Sequence, residues 1–181
     1  MAFQVGNFNN LFLVGPMGAG KSMVGKDLAR KLNKKFFDLD TQIEKITRLS
    51  IPEIFEFEGE GSFRRTESLV LAELVEQENT VIATGGGCIL NPINGQLLQA
   101  KGTVIYLKAA PETQYQRTYH ETHRPLLQGN DEERLDQLIR HTRIRAELYQ
   151  SYSDFEVDTD DQTIVDVVNT IKQWLSKHEA Y

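Results

Sequence analysis

Near the start of the chain, Gly15-Pro16-Met17-Gly18-Ala19-Gly20-Lys21-Ser22 brings together the groups needed to hold a polyphosphate. The run matches G-x-x-x-x-G-K-[ST] and stands between an apolar stretch and an amphipathic one, the context that pattern requires. Glycine lets the backbone come close to phosphate oxygens in conformations other residues avoid. The loop then presents N–H groups at a helix N-terminus, where the dipole also favours an anion. Lys21 supplies a mobile positive charge for the β- and γ-phosphates, and Ser22 a hard hydroxyl for Mg²⁺. A chance match in a chain this long is expected on the order of 1% of the time. The dinucleotide pattern G-x-G-x-x-G fails, because Met23 stands where its last glycine would be.

Asp38-Leu39-Asp40 follows Phe36-Phe37. Residues two apart in a strand share a face, so both carboxylates are expected to project together at a strand end. Two close carboxylates repel unless a cation or a proton relieves them. One would serve the Mg²⁺ shell, and the other would orient a substrate hydroxyl and accept its proton. The plain alternative is a pair of solvated aspartates, with Asp40 capping a helix that starts at Thr41.

Gly85-Gly86-Gly87 follows the apolar run Thr80–Ala83 after Thr84. Three consecutive glycines are costly to order. They serve either a tight turn or a backbone that must approach a ligand and donate to it. Arg64 follows Phe63 in a helical stretch, and Arg145 shares a face with Leu138, His141 and Tyr149. An inward arginine needs a partner, and a planar carboxylate suits its fork best. Arg124-Pro125-Leu126-Leu127 sits in a polar segment, about residues 119–131, that reads as a mobile lid between two helices. Lids expel water from phosphoryl-transfer sites. His120 and His123 in that segment have no third ligand nearby and read as solvated loop histidines.

The elements that must position these groups follow from apolar periodicity. Short apolar runs at Asn10–Val14, residues 36–37, Thr80–Ala83, residues 103–107 and residues 155–157 suit strands covered on both faces. Helical spacing appears at Val24, Leu28 and Leu32, again at Leu135, Leu138, Ile139 and Thr142, and again at Ile164, Val168, Ile171 and Leu175. Phe63, Arg64 and Arg65 are expected to start a helix containing Leu69, Leu74 and Val75. Pro92 and Pro111 fall at expected helix starts. The alternation predicts an α/β fold with a parallel sheet, and such sheets bind ligands at the carboxyl ends of their strands.

The 181 residues suit one domain, with no repeat or linker to divide it. Net charge is −6, which argues against a nucleic-acid partner. No apolar run approaches the length of a membrane span, and the N-terminus lacks the pattern of a signal peptide. The single cysteine, Cys88, excludes an intrachain disulfide and suits a cytoplasmic protein.

Taken together and in order, GPMGAGKS, FFDLD, FRRTE, ATGGG, HRPLL and RAELY resemble shikimate kinase, over about residues 10–165. The resemblance implies a P-loop fold of the nucleoside-monophosphate-kinase type, with five parallel strands and a lid. It implies transfer of the γ-phosphoryl group of ATP to the 3-hydroxyl of shikimate, with Mg²⁺, in chorismate and aromatic amino-acid biosynthesis. Gly18, Ala19, Gly20, Lys21, Ser22 and Met23 would wrap the phosphates, with Ser22 a ligand of Mg²⁺ and Asp38 near the metal shell, reaching the ion through water. Asp40 would bind the substrate hydroxyls and act as base. Arg64 and Arg145 would grip the carboxylate, and Gly85, Gly86 and Gly87 would meet the ring. Arg124 would swing onto ATP with the lid, Arg117 would stack on adenine, and Gln162 would contact it. Met23 departs from the family's usual threonine and removes a hydroxyl near the α-phosphate. A monomer is expected. The alternatives are a related small-molecule kinase, such as one acting on gluconate, a nucleotide kinase, or a non-catalytic ATP-binding module.

Overall fold

The computed structural model describes residues 9–119 and 130–178. Its centre is β1 (Asn10–Val14), whose five residues are all buried. Leu11 and Leu13 face one layer of helices while Phe12 and Val14 face the other. This is why the run is continuously apolar: each face of the strand has its own core.

Around β1 lie β2 (Lys35–Asp38), β3 (Thr80–Ala83), β4 (Thr103–Lys108) and β5 (Phe155–Asp158), all parallel, in the order β2-β3-β1-β4-β5. One layer contains α1 (Lys21–Leu32) and α8 (Ile164–His178), which bury Val24, Leu28, Val168, Ile171 and Leu175. The other contains α2 (Leu39–Thr47), α3 (Ile51–Phe57), α4 (Gly59–Leu74), α5 (Pro92–Lys101) and α7 (Asp131–Tyr152). α6 (Pro111–Thr118) packs on α7 through a Gln114–Thr142 hydrogen bond of 2.8 Å. Pro92 and Pro111 occupy first-turn positions, as their missing N–H allows.

The connection from β1 leads to β2 on one side, while that from β3 crosses to β4 on the other. The loops after β1 and β3 therefore border a crevice at the carboxyl edge, where open parallel sheets place ligands. Two expectations change. Ile139 is exposed, because α7 turns only part of its apolar surface inward. Val75 is buried but caps α4 rather than continuing it. Among the described residues, no helix is long and apolar enough to cross a membrane.

Candidate active site

The turn between β1 and α1 is built from backbone. Gly15, Gly18 and Gly20 have φ of 141°, 72° and 87°, a region that strains other residues. A side chain on Gly18 would also stand 2.9 Å from the Cα of Gln114. Gly20 caps α1 with no side-chain acceptor for the helix's first N–H groups. Those donors, at the positive end of the helix, form an anion cradle. Lys21 folds over the loop, its Nζ donating to the carbonyls of Gly15 and Pro16 at 2.8 and 2.7 Å. Ala19 is buried beneath it, while Met23 is 60% exposed and lines the cleft.

Ser22 Oγ donates to Asp38 Oδ2 at 2.5 Å. The two aspartates do not alternate along one strand as expected. Asp38 ends β2 and caps α2, accepting from the Thr41 amide at 3.3 Å. Asp40 sits in the first turn of α2, so the cap is Asp38 and not Asp40. The strand ends two residues sooner than the face-sharing argument needs, yet both carboxylates still line the same cleft. The Ser22–Asp38 pair offers two hard oxygens beside the cradle. That suits Mg²⁺, which completes its octahedron with waters and phosphate oxygens. No cluster of three or more potential ligands occurs among the described residues.

Gly85, Gly86 and Gly87 follow β3, and none of them has a positive φ. Their smallness serves close approach. A Cβ on Gly85 would lie 2.7 Å from Glu67 Oε1 and 3.0 Å from Asp40 Oδ1. One on Gly87 would lie 2.6 Å from Arg64 Nη1, and one on Gly86 would lie 3.4 Å from the Met17 nitrogen in the phosphate loop. The turn thus sits between the phosphate cradle and the charged groups of α2 and α4.

Arg64 donates through Nη1 to Glu67 at 2.9 Å, and through Nε and Nη2 to Glu60 at 3.3 and 3.1 Å. Glu67 is only 1% exposed. Burial raises its carboxyl pKa above the ordinary value, opposed by the Arg64 guanidinium. Arg145 is 7% exposed and donates to the Gly86 carbonyl at 3.5 Å. Tyr149, one turn further along α7, donates its hydroxyl to the same carbonyl. Burial and the Arg145 charge together lower the pKa of His141, whose ring stands one turn before Arg145.

At the opposite end, Arg117 bridges the phosphate loop and the turn after β5. Its guanidinium donates to the Gly18 carbonyl at 3.1 Å and to Thr159 Oγ1 at 3.0 Å. Thr159 is held in turn by the Lys108 carbonyl at 2.7 Å. Arg117 and Gln162 line the cleft with the phosphate loop.

One cleft of about 1150 Å³ is lined by most of these groups. It brings together every site residue named from the sequence except Arg124, which lies outside the described residues together with most of the segment 119–131. Glu67 and Thr159 are additional lining residues, and Glu60 and Tyr149 bond to Arg64 and Gly86 of the lining. Glu60 and Glu67 stand at i−4 and i+3 from Arg64, a helical spacing that signals an ion pair. Tyr149 shares the Arg145 face, but nothing local reveals that Gly86 lies opposite. Ile51, Pro52, Phe55 and Phe63 form an apolar wall, with Phe55 and Phe63 rings 4.9 Å apart. Cys88 is buried behind the glycines and its thiol pKa is raised by that burial, consistent with a packed residue.

The family model for shikimate kinase matches residues 17–176. The shikimate kinase of Methylococcus capsulatus is 47% identical over 154 residues, covering 84% of each chain. That of Thioalkalivibrio sulfidiphilus is 47% identical over 167 residues, 92% of this chain and 86% of the relative. The solved structure of shikimate kinase from Acinetobacter baumannii in complex with shikimate superposes with a TM-score of 0.92 at 40% identity, covering 97% of both chains. With a family model matched over residues 17–176 and relatives 47% identical over most of their length, the chain belongs to the shikimate kinase family.

Proposed function

We propose that this protein transfers the γ-phosphoryl group of ATP to the 3-hydroxyl of shikimate, giving ADP and 3-phosphoshikimate. The observation that carries this reading is the convergence of two arginines and a carboxylate on the glycine turn beside a phosphate cradle. Arg64 and Arg145 suit a carboxylate, Asp40 suits a hydroxyl, and the apolar wall suits the carbon ring.

The nucleotide phosphates would lie against the amides of Gly18, Ala19, Gly20, Lys21, Ser22 and Met23. Lys21 would leave its loop carbonyls for the phosphate oxygens. Ser22 and Asp38 would hold Mg²⁺, Asp38 through water. When bound, that ion supplies charge neutralisation at the β- and γ-phosphates. Adenine would stack on Arg117 and touch Gln162. The substrate carboxylate would displace Glu60, the exposed partner of Arg64, while Glu67 keeps the guanidinium in place. Gly85, Gly86 and Gly87 would bring backbone to the ring.

Asp40 then accepts the proton of the 3-hydroxyl as its oxygen attacks the γ-phosphorus. The bond to the β-phosphate oxygen breaks in line and ADP leaves. In this reading the chain is a single kinase domain, and Arg124, outside the described residues, would neutralise charge on the transferring phosphoryl group. In this reading the working unit is a monomer. The requirement for ATP supports a cytoplasmic location.

A coupled ADP-release assay over shikimate, gluconate and nucleoside monophosphates tests the reading. Shikimate should be turned over far better than the others. Preference for gluconate would reject the substrate, and ATP binding with no turnover on any alcohol would reject catalysis.

A further inference from the structure

Two side chains of α7 meet one backbone carbonyl. The hydroxyl of Tyr149 and Nη1 of Arg145 both donate to Gly86 O. Tyr149 is 1% exposed, and its ring stacks on Tyr106 with centroids 4.9 Å apart. Burial raises the pKa of its phenol, so the hydroxyl keeps its proton and remains a donor. A peptide with its carbonyl held this way has little freedom to rotate.

The other end of the same peptide is the N–H of Gly87. Among the described residues there is no cis peptide, and in a trans peptide C=O and N–H point in opposite directions. Fixing Gly86 O toward α7 therefore turns the Gly87 N–H away from Tyr149. Gly87 is buried, and no described group accepts from its N–H. Buried amides rarely lack an acceptor, so a ligand oxygen is the natural partner. The turn lines the cleft and packs against Arg64.

We infer that Tyr149 is a positioning residue that locks the Gly86–Gly87 peptide so that the Gly87 amide reads a ring hydroxyl of the acceptor. This inference rests on the proposed shikimate site and assigns part of its specificity. Because Arg145 lies one turn before Tyr149, a single helix sets both the carboxylate clamp and the hydroxyl reader. The two ends of the acceptor are thereby held at a fixed separation.

Tyr149→Phe removes the hydroxyl and keeps the stacked ring. Steady-state kinetics should show the KM for shikimate raised about tenfold, the usual scale for one lost hydrogen bond, with the KM for ATP unchanged. The preference for shikimate over analogues lacking a ring hydroxyl other than the 3-hydroxyl should shrink in the variant. An unchanged shikimate KM, or equal shifts in both KM values with the preference intact, would overturn the inference. Failure of the parent enzyme to use shikimate would instead overturn the functional reading. Should the variant not fold, amide NMR of the parent decides the point. Saturating shikimate should shift the Gly87 amide proton downfield, and an unmoved signal would exclude the contact.

Discussion

Arg64 donates from all three of its nitrogens to glutamates of its own helix, and the two glutamates differ in kind. Glu67 is buried and Glu60 is half-exposed, so one partner is permanent and the other exchangeable. Gly87 keeps room for this arrangement. Its φ of −100° and ψ of 0° are open to alanine, so Gly87→Ala should fold. The new Cβ would press on the Arg64 guanidinium and shift it from Glu67. We expect the KM for shikimate to rise about tenfold with ATP binding retained, as follows from disturbing one charge-assisted pair. Calorimetric titration with each ligand checks this, and parallel loss of both affinities would contradict it. Asp40→Asn keeps size but loses the base. Turnover should fall by roughly 10²–10⁴-fold while ATP still binds. A rate equal to the parent's would remove Asp40 from the chemistry.

At the scale of elements, the junction of β2 and α2 carries two duties. Asp38 caps α2 and bonds Ser22, joining a helix start to the phosphate loop. The duties separate by substitution. Asparagine caps as well as aspartate, so Asp38→Asn should retain stability. Asp38→Ala should lose about 1 kcal/mol. Both should raise the Mg²⁺ concentration needed for turnover, because each removes a carboxylate oxygen from the proposed ion's surroundings. Thermal unfolding and Mg²⁺ titration of activity read the two effects independently. Equal stability of the two variants would show that the cap contributes nothing. The spacing of Asp38 and Asp40 was legible in the chain, but the reason for it was not. Strand alternation predicted a shared face, whereas the structure reaches the same cleft by starting a helix between them.

Across the whole molecule, the central sheet buries aromatic hydroxyls whose ionisation is opposed by folding. Tyr106 on β4 has its phenol pKa pushed up to about 12, by burial first and then by the charges of Glu156 and Asp158. Its folded value exceeds its ordinary value of 10.0, so its contribution to stability is complete below that pH. The contribution is lost as pH rises toward 12, where the unfolded chain releases the proton more readily. Tyr106→Phe should show a shallower fall of the urea midpoint over that interval. An identical fall in parent and variant would exclude Tyr106 as a source of alkaline sensitivity. Tyr149, stacked on Tyr106, leaves a residual slope in the variant.

The amino-acid sequence by itself determined the phosphate loop, the five strands and the arginines suited to a carboxylate. Each depends on residue type at short spacing: glycines before a lysine, apolar runs bounded by turns, and cations on an inward helix face. Even Glu60 and Glu67 left a helical signal around Arg64. Tertiary structure alone decided why residues 85 and 87 are glycine. Their φ values would admit side chains, but Glu67, Asp40 and Arg64 arrive from distant elements to occupy that space. It also decided that Tyr149 meets Gly86, 63 residues away along the chain. Such contacts depend on how α4, α7 and the turn after β3 pack across the sheet, and no local periodicity records the distance between elements.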